Sequence, residues 1–223
     1  MLKKEIKITE KRGIKYLLDE KGKPKKYESW LGGLLSSFYD LLMEKKIFPM
    51  LDADMKTHES FLFDELQQIH GKKVLELASG SGSAVNFLPS DNHYVGSDVS
   101  PGLLKQAIKK MNAAGFQSPE FYLVDANEIP FAENSFDYCL CVLSLNFFHD
   151  VNTLLSDIKK ILISGGEMFC CVPVPERNRK NSSIRGKLYS EKEYSEMCEK
   201  CGLKFESLPI QNGAILYFKI TNP

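Results

Sequence analysis

From Lys73 to its end the chain alternates short apolar runs with helical patterns, and this alternation points to a parallel β-sheet covered by helices on both faces. Strands are expected in KVLELA, HYVGSD, EFYLVDA, FDYCLCVLS and GEMFCCVPV. The fourth and fifth are apolar almost without a break, from Tyr138 to Leu145 and from Met168 to Val174, as strands are when both faces are covered. Ser100 followed by Pro101 is an N-cap with proline at the first helical position. Leu104, Ile108 and Met111 then form one stripe, and Gly115 ends the run. Asn152 is read as the cap of TLLSDIKKILISGG, stopping at Gly165-Gly166, and Ser190 and Glu193 have capping-box spacing. LKFESLPI and AILYFKIT flank Gln211-Asn212-Gly213. The Asn-Gly pair favours a tight hairpin, so the sheet is expected to finish with an antiparallel pair.

Before Lys73 the texture differs. KITEKRGIKYLLDEKGKPKKYESW reads as a partly ordered arm, while GGLLSSFYDLLMEKK sets Leu34, Leu35, Phe38, Leu41 and Leu42 along one helical face. Another helix is expected over HESFLFDELQQIH, ending at Gly71. With 223 residues, 43% of them apolar, the chain suffices for one well-buried core. Residues 1–70 are read as an arm and helical cap to one α/β domain over residues 71–223.

Lysine plus arginine total 29, as do aspartate plus glutamate, so no global field argues for nucleic acid or an anionic membrane as partner. Two basic runs interrupt this balance, one in the first 26 residues and one in ERNRKNSSIRGK, Glu176 to Lys187. The second is also a candidate to attract a carboxylate or phosphate on a substrate. The N-terminus has no apolar core of the kind a signal peptide needs, and no segment approaches a membrane span. Cys139, Cys141, Cys170 and Cys171 lie in apolar runs where a thiol acts as a small hydrophobe. Cys198 and Cys201 form a C-x-x-C pair without a second pair or a nearby histidine, and no metal site is expected. A cytoplasmic protein is the expectation, monomeric or homodimeric.

In a doubly wound sheet, ligands sit beyond the carboxyl ends of the strands where strand order reverses, so the turn after the first strand is the place to look. Here it is ASGSGS, in which Gly80 and Gly82 allow positive φ and close backbone approach. A dinucleotide fingerprint needs a third small residue where Val85 stands. Pro89 also leaves room for only a short helix. Glu76, an acid near the end of a buried strand, would repel a pyrophosphate and suits a ligand with positive charge or several donors.

The pattern Glu76-x-Ala78-x-Gly80-x-Gly82 resembles the first motif of the class I S-adenosylmethionine-dependent methyltransferases, with Ala78 in place of the first glycine. Three further stretches match in order: YVGSDVSPGLL, VDANEIPF and FDYCLCVLSLNFFHD. The resemblance covers about Lys73 to Val174 and is closest to the Methyltransf_11, ubiquinone-methylase-like branch. It implies a doubly wound, mostly parallel seven-stranded α/β sheet of Rossmann-like methyltransferase type, with a C-terminal antiparallel hairpin and an N-terminal helical cap. It further implies S-adenosylmethionine as cofactor, leaving S-adenosylhomocysteine as product. Asp98 would accept the ribose hydroxyls, Asp125 the adenine amino group, and the Ala126 amide would reach a ring nitrogen. Adenine would lie between Val99 and Leu143, and Glu76, Ala78, Ser79, Gly80 and Gly82 would complete the cofactor site.

The segment LSLN after the fourth strand lacks the Pro-Pro-aromatic tetrad of amine methylases acting on bases, and the Pro-Cys nucleophile of cytosine methylases is absent too. A small-molecule acceptor is therefore expected, methylated by in-line displacement. Its pocket should lie under the helices around Trp30 to Met43 and the loop after the fifth strand. Tyr39, Asp40, Asn146 and His149 are candidates for its polar lining, and Tyr39, Asn146 and His149 for a catalytic role. Each also has a structural reading. A non-catalytic S-adenosylmethionine-binding or regulatory protein stays open, as does, less favoured, a nucleotide-cofactor oxidoreductase.

Overall fold

The computed structural model, which describes residues 1–27 and 39–223, begins with a feature the sequence reading did not anticipate. The supposed arm is a hairpin, β1 (Ile8–Lys11) and β2 (Ile14–Leu17). Arg12 and Gly13 turn it with φ of 56° and 77°, the double positive φ of a two-residue hairpin whose twist matches its strands. Glu10, Lys11, Arg12 and Lys15 interrupt its apolar residues, so tertiary context decides its conformation. Ile14 and Leu17 are buried, β2 runs parallel to a strand of the main sheet, and Lys15 pairs with Glu120 there.

The cap also departs from the expected long helix. α1 (Tyr39–Leu42) gives way to a π turn over Met43–Ile47 and to α2 (Phe48–Met50). Phe48 N–H reaches back to the Met43 carbonyl just before Pro49, which has no N–H to carry the ladder onward. Trp30, Leu34, Leu35 and Phe38 lie outside the described residues. α3 (Met55–Leu66) starts earlier than expected, because the Asp54 side chain accepts from Thr57 N–H at 2.7 Å and caps it.

The strands expected from Lys73 onward are present: β3 (Lys73–Leu77), β4 (His93–Asp98), β5 (Glu120–Leu123), β6 (Phe136–Val142), β7 (Leu162–Pro173), β8 (Lys204–Ser207) and β9 (Ile215–Thr221). A 3-10 turn at Ser83–Asn86 stands between β3 and β4. α4 (Pro101–Ala113), α5 (Val151–Ile161) and α6 (Glu191–Lys200) complete the chain. Among the described residues the sheet has nine strands, in the order β1-β2-β5-β4-β3-β6-β7-β9-β8. The expected seven are thus extended at one edge by the N-terminal hairpin. Pairing is parallel from β2 to β7 and antiparallel at both ends.

Ser100 and the Ser190–Glu193 box cap their helices as expected. Asp150, not Asn152, caps α5, accepting from the N–H groups of Asn152 and Thr153. That helix ends at Ile161, and Gly165-Gly166 fall inside β7, where the register against β6 shifts. The glycines make a strand irregularity there in place of a helix stop. Side chains alternate across the sheet: Leu75, Leu77, Cys139 and Cys141 face α5 and α6, while Val74, Tyr94, Leu140 and Phe169 face α3 and α4.

The Asn-Gly dipeptide sits in a longer connection than a two-residue turn, since β8 ends at Ser207 and β9 begins at Ile215. Gly213, at φ 58°, is pressed onto the loop before α3, and a Cβ there would lie 2.2 Å from the Leu51 carbonyl oxygen. Gly213→Ala is expected to cost about 2–5 kcal/mol from the left-handed backbone and the clash together, read as a lower midpoint in urea unfolding.

Candidate functional site

Strand order reverses between β3 and β6, and a cleft of about 580 Å³ opens there at the strands' carboxyl ends. Each strand delivers its contribution through its last residues. The turn after β3 brings Ala78 and Gly80, β4 ends in Asp98 and Val99, and the segment after β5 brings Asp125 and Ala126. Leu143 follows β6. All seven of these sequence-derived cofactor residues line this one cleft.

Asp98 is only 7% exposed. One carboxylate oxygen accepts from Gly80 N–H at 2.9 Å and the other from Ser100 N–H at 2.7 Å. Burial pushes its carboxyl upward from the ordinary range, against the pull of those backbone donors. Asp125 accepts from the Asn127 backbone N–H at 2.9 Å, an Asx turn that holds the loop beside the cleft. Between the two acids the walls are largely apolar, with Leu103, Val124 and Phe148 beside Val99 and Leu143. Such a slot, with polar groups at its ends, suits a flat heterocycle bearing a sugar.

A smaller chamber of about 70 Å³ adjoins the cleft, sharing Ala78, Gly80 and Leu143 with it, and Glu76, Ser79 and Asp40 line it. Glu76 faces the α3 side of the sheet and is 2% exposed. Opposite it on β4 stands Gly96. A Cβ on Gly96 would come within 3.0 Å of Ser79 Oγ and of the Tyr94 ring. The missing side chain therefore lets Tyr94 lean along its strand and donate its hydroxyl to the Glu76 carboxylate. Burial raises the Glu76 carboxyl to about 8, the nearby Asp98 charge adds to the rise, and the Tyr94 bond opposes it.

Ala78 and Leu143 both occupy left-handed backbone, at φ 50° and 53°. These non-glycine outliers flank the junction of cleft and chamber, where strain is commonly held in functional sites. Gly82 lines neither space. At φ 81°, it packs on α4, where a Cβ would lie 2.7 Å from Ala107 Cα, so it lets the turn approach that helix.

The other candidates scatter. Exposed His149 lies on the rim of the cleft. Asn146 is buried, and its side-chain amide donates to the Arg185 carbonyl at 2.6 Å while its backbone carbonyl accepts from Lys187 N–H. It thereby ties down the loop after β7. Asp40 accepts from Ser81 Oγ and Lys110 Nζ, both at 2.6 Å. Burial pushes its carboxyl up, but these bonds outweigh that and leave it below the usual range. The backbone of Tyr39 opens α1, and its side chain lies outside what is described. In the basic run, Arg177 pairs with Glu191 and Lys180 with Asp52, whereas Arg185 lines the cleft.

Sequence reasoning missed several lining groups. Asn127, Phe147 and Phe148 lie within stretches already singled out and could have been read from their nearness to strand ends. His58 and Glu59 come from α3 and have no motif around them.

Residues 75–170 match the Methyltransf_11 model, a methyltransferase domain. A demethylmenaquinone methyltransferase of Thermotoga maritima is 27% identical over 172 residues, covering 76% of this chain and 70% of that protein. An uncharacterized protein of Methanocaldococcus jannaschii is 28% identical over 173 residues, 70% of this chain and 47% of its own length. The chain thus spans about half of the latter. A solved S-adenosylmethionine-dependent methyltransferase from Thermotoga maritima superposes with a TM-score of 0.62 at 17% identity, covering 86% of this chain and 98% of that one, which shows the shared fold.

Two predictions follow from the chamber wall. An acid with a raised folded pKa leaves stability intact below its unfolded value of 4.5 and loses it as pH climbs toward about 8. Glu76→Gln should therefore stabilise the ligand-free protein near pH 8, by at most about 5 kcal/mol, with little effect near pH 4.5; denaturant midpoints at both pH values check this. Ala78→Gly should raise stability by about 1 kcal/mol through relief of the left-handed backbone, seen as an increase in Tm.

Proposed function

We propose, for a chain that belongs to the S-adenosylmethionine-dependent methyltransferases of the Methyltransf_11 family, that it transfers a methyl group to a small-molecule acceptor. The observation that carries this reading is the pair of carboxylates, Asp98 and Asp125, at the ends of successive strands along one mainly apolar cleft. The donor set fits S-adenosylmethionine. Asp98 spends one interaction per oxygen on the backbone, and a carboxylate has further lone pairs to accept the two ribose hydroxyls. Asp125 accepts the adenine amino group and the Ala126 N–H reaches a ring nitrogen, with Val99 and Leu143 on the ring faces. The turn from Ala78 to Gly82 carries the methionine portion past Ser79 and Gly80. Glu76 suits the α-amino group, whose positive charge would draw the buried carboxyl into its ionised form.

The bound cofactor supplies an electrophilic methyl group, already activated by the sulfonium charge. The chain's task is then alignment and exclusion of water. Ala78, Gly80 and Leu143 form the boundary between cleft and chamber, which supports a cofactor lying across that boundary with its methionine portion reaching Glu76 in the chamber. Met43, Phe48 and Met55 reach that space from the cap segment and the start of α3, which supports a small acceptor enclosed under the cap over a nucleic acid. His149 at the rim and Tyr39 at the cap remain our candidates for moving a proton, and Asn146 for supporting the loop over the cleft. We place the reaction in the cytoplasm, consistent with six free thiols. No helix among the described residues is long and apolar enough to cross a membrane.

Isothermal calorimetry should show S-adenosylmethionine and S-adenosylhomocysteine binding to the intact chain, and NAD failing to bind. Asp98→Asn, which keeps shape but loses charge, should weaken that binding on the order of 100-fold. Binding of NAD in preference to S-adenosylmethionine would overturn the reading. Cofactor binding without turnover against a broad panel of small acceptors would instead favour a non-catalytic cofactor-binding protein.

A further inference from the structure

The cofactor reading leaves part of the cleft lining without a task. Ser144, Phe147 and His149 after β6, and Arg185 and Gly186 after β7, line it as well. Among the described residues of that lining, Arg185 is the single lysine or arginine, set against the acids Asp98 and Asp125. Elsewhere in the basic run, Arg177 pairs with Glu191 at 2.8 Å and Lys180 with Asp52 at 2.7 Å, and Lys187 Nζ lies 4.7 Å from the centre of the Tyr189 ring. The sequence offered the whole run, and the cleft takes Arg185 from it.

The backbone of Arg185 is held from two sides. Asn146 Nδ2 donates to the Arg185 carbonyl at 2.6 Å, and the Lys187 N–H donates to the Asn146 backbone carbonyl at 2.7 Å. A carbonyl can only accept, so the Asn146 amide has one possible orientation. Gly186 lies between these two bonded peptide groups at φ 89°, and a Cβ there would stand 2.2 Å from the Asn146 carbonyl oxygen. A buried asparagine and a glycine thus press this loop onto the segment that leaves β6. Further back, Lys180 ties the same loop to Asp52 and to the Pro49 carbonyl at the end of the cap. The loop that carries Arg185 therefore runs from the cap to the cleft.

Under the methyltransferase reading, the cofactor offers this cation no anionic partner in the cleft. Its sulfonium is positive, and its one carboxylate belongs to the methionine portion, whose place is the chamber. Arg185 lines the cleft and is absent from the chamber wall. A planar guanidinium takes a carboxylate through two parallel N–H···O bonds. One guanidinium balances one unit of charge, whereas a phosphate would bring nearly two beside two aspartates.

We infer that Arg185 is an acceptor-binding residue that holds a carboxylate of the methyl acceptor, and that Asn146 is the positioning residue that sets it at the cleft. The acceptor is then a small carboxylic acid. The inference rests on the methyltransferase reading, since only that reading leaves the cation to the acceptor.

The test uses the full chain saturated with S-adenosylhomocysteine, with benzoate as probe and benzamide as its uncharged isostere, their affinities read from saturation-transfer NMR titrations near neutral pH. Benzoate should bind more tightly on the order of fivefold, as for a well-formed ion pair of an exposed arginine. Raised salt should shrink that margin. Arg185→Gln should remove it and leave the binding of benzamide and S-adenosylhomocysteine unchanged. Arg185→Lys, which keeps the charge without the fork, should restore part of it. Asn146→Ala and Gly186→Ala should each reduce the margin with Arg185 itself intact. Gly186→Ala acts through its clash with Asn146 and decides the positioning role should Asn146→Ala fail to fold.

Benzoate binding no tighter than benzamide, or neither binding, overturns the inference, as does an Arg185→Gln variant that keeps the margin. Weaker S-adenosylhomocysteine binding in Arg185→Gln makes the arginine a cofactor residue and overturns it equally. Phenyl phosphate bound more tightly than benzoate overturns the choice of a carboxylate, and a margin untouched in Gly186→Ala overturns the positioning role. Calorimetry with S-adenosylhomocysteine separates the two levels. Absence of its binding to the unaltered chain overturns the methyltransferase reading and the acceptor role together. Its binding without a benzoate margin overturns the Arg185 assignment alone.

Discussion

The Asp98 carboxylate, held between the N–H groups of Gly80 and Ser100, is the interaction on which the site depends. It joins the turn after β3 to the first residues before α4, two segments that meet only through tertiary structure. Burying a carboxylate costs several kcal/mol unless it is well paired. Charge-assisted bonds to backbone donors and the positive end of α4 offset that cost. Because both donors are backbone groups, they fix the path of the chain as well as its charge. Gly80 and Val99 are thereby set on the cleft wall before any ligand arrives.

The chamber wall shows a second regularity. Burial drives Glu76 upward and His58 downward, so an acid and a base on one wall are both pushed toward the uncharged state. Two opposite shifts with one cause describe a medium of low polarity. Tyr94 and Tyr217, each supplying a hydroxyl to one of them, are what make these polar groups tolerable there. Gly96 and Gly213 provide room for the neighbouring segments, one as a missing side chain and the other as a close backbone contact.

Much of this was legible in the sequence, and for a definable reason. The strands from Lys73 to Val174 are buried on both faces, so their apolar runs record their environment directly. The residues that line the cleft follow at their carboxyl ends, where strand order and turn chemistry restrict what can stand. Gly80 and Asp98 were singled out at such ends, Asp125 and Leu143 through the family resemblance, and all four line the cleft. The hairpin of β1 and β2 was not legible, because charges interrupt its apolar pattern and its conformation is set by a strand about a hundred positions away in the chain. The break in the cap at Met43–Ile47 and the place of Asp150 as the true cap of α5 are choices among neighbouring residues that periodicity does not resolve. His58 was invisible for a different reason. A histidine on an amphipathic helix reads the same whether it faces solvent or a chamber, and only the meeting of α3 with β9 distinguishes them.

The hairpin also bears on how the molecule assembles. β2 aligns Lys15 with Tyr122 and Tyr16 with Leu123, so the hairpin, made well before β5, can take its final place only after β5 has emerged and joined its neighbours. Contacts across such a long stretch of chain carry a large closure cost and form late. The hairpin is thus made early and must wait undocked until the edge of β5 is there to receive it. Residues Asp19 to Tyr27, which follow the hairpin, stand beside Asp125 and Asn127. One flank of the cleft therefore takes its shape only once two segments about a hundred residues apart have been brought together.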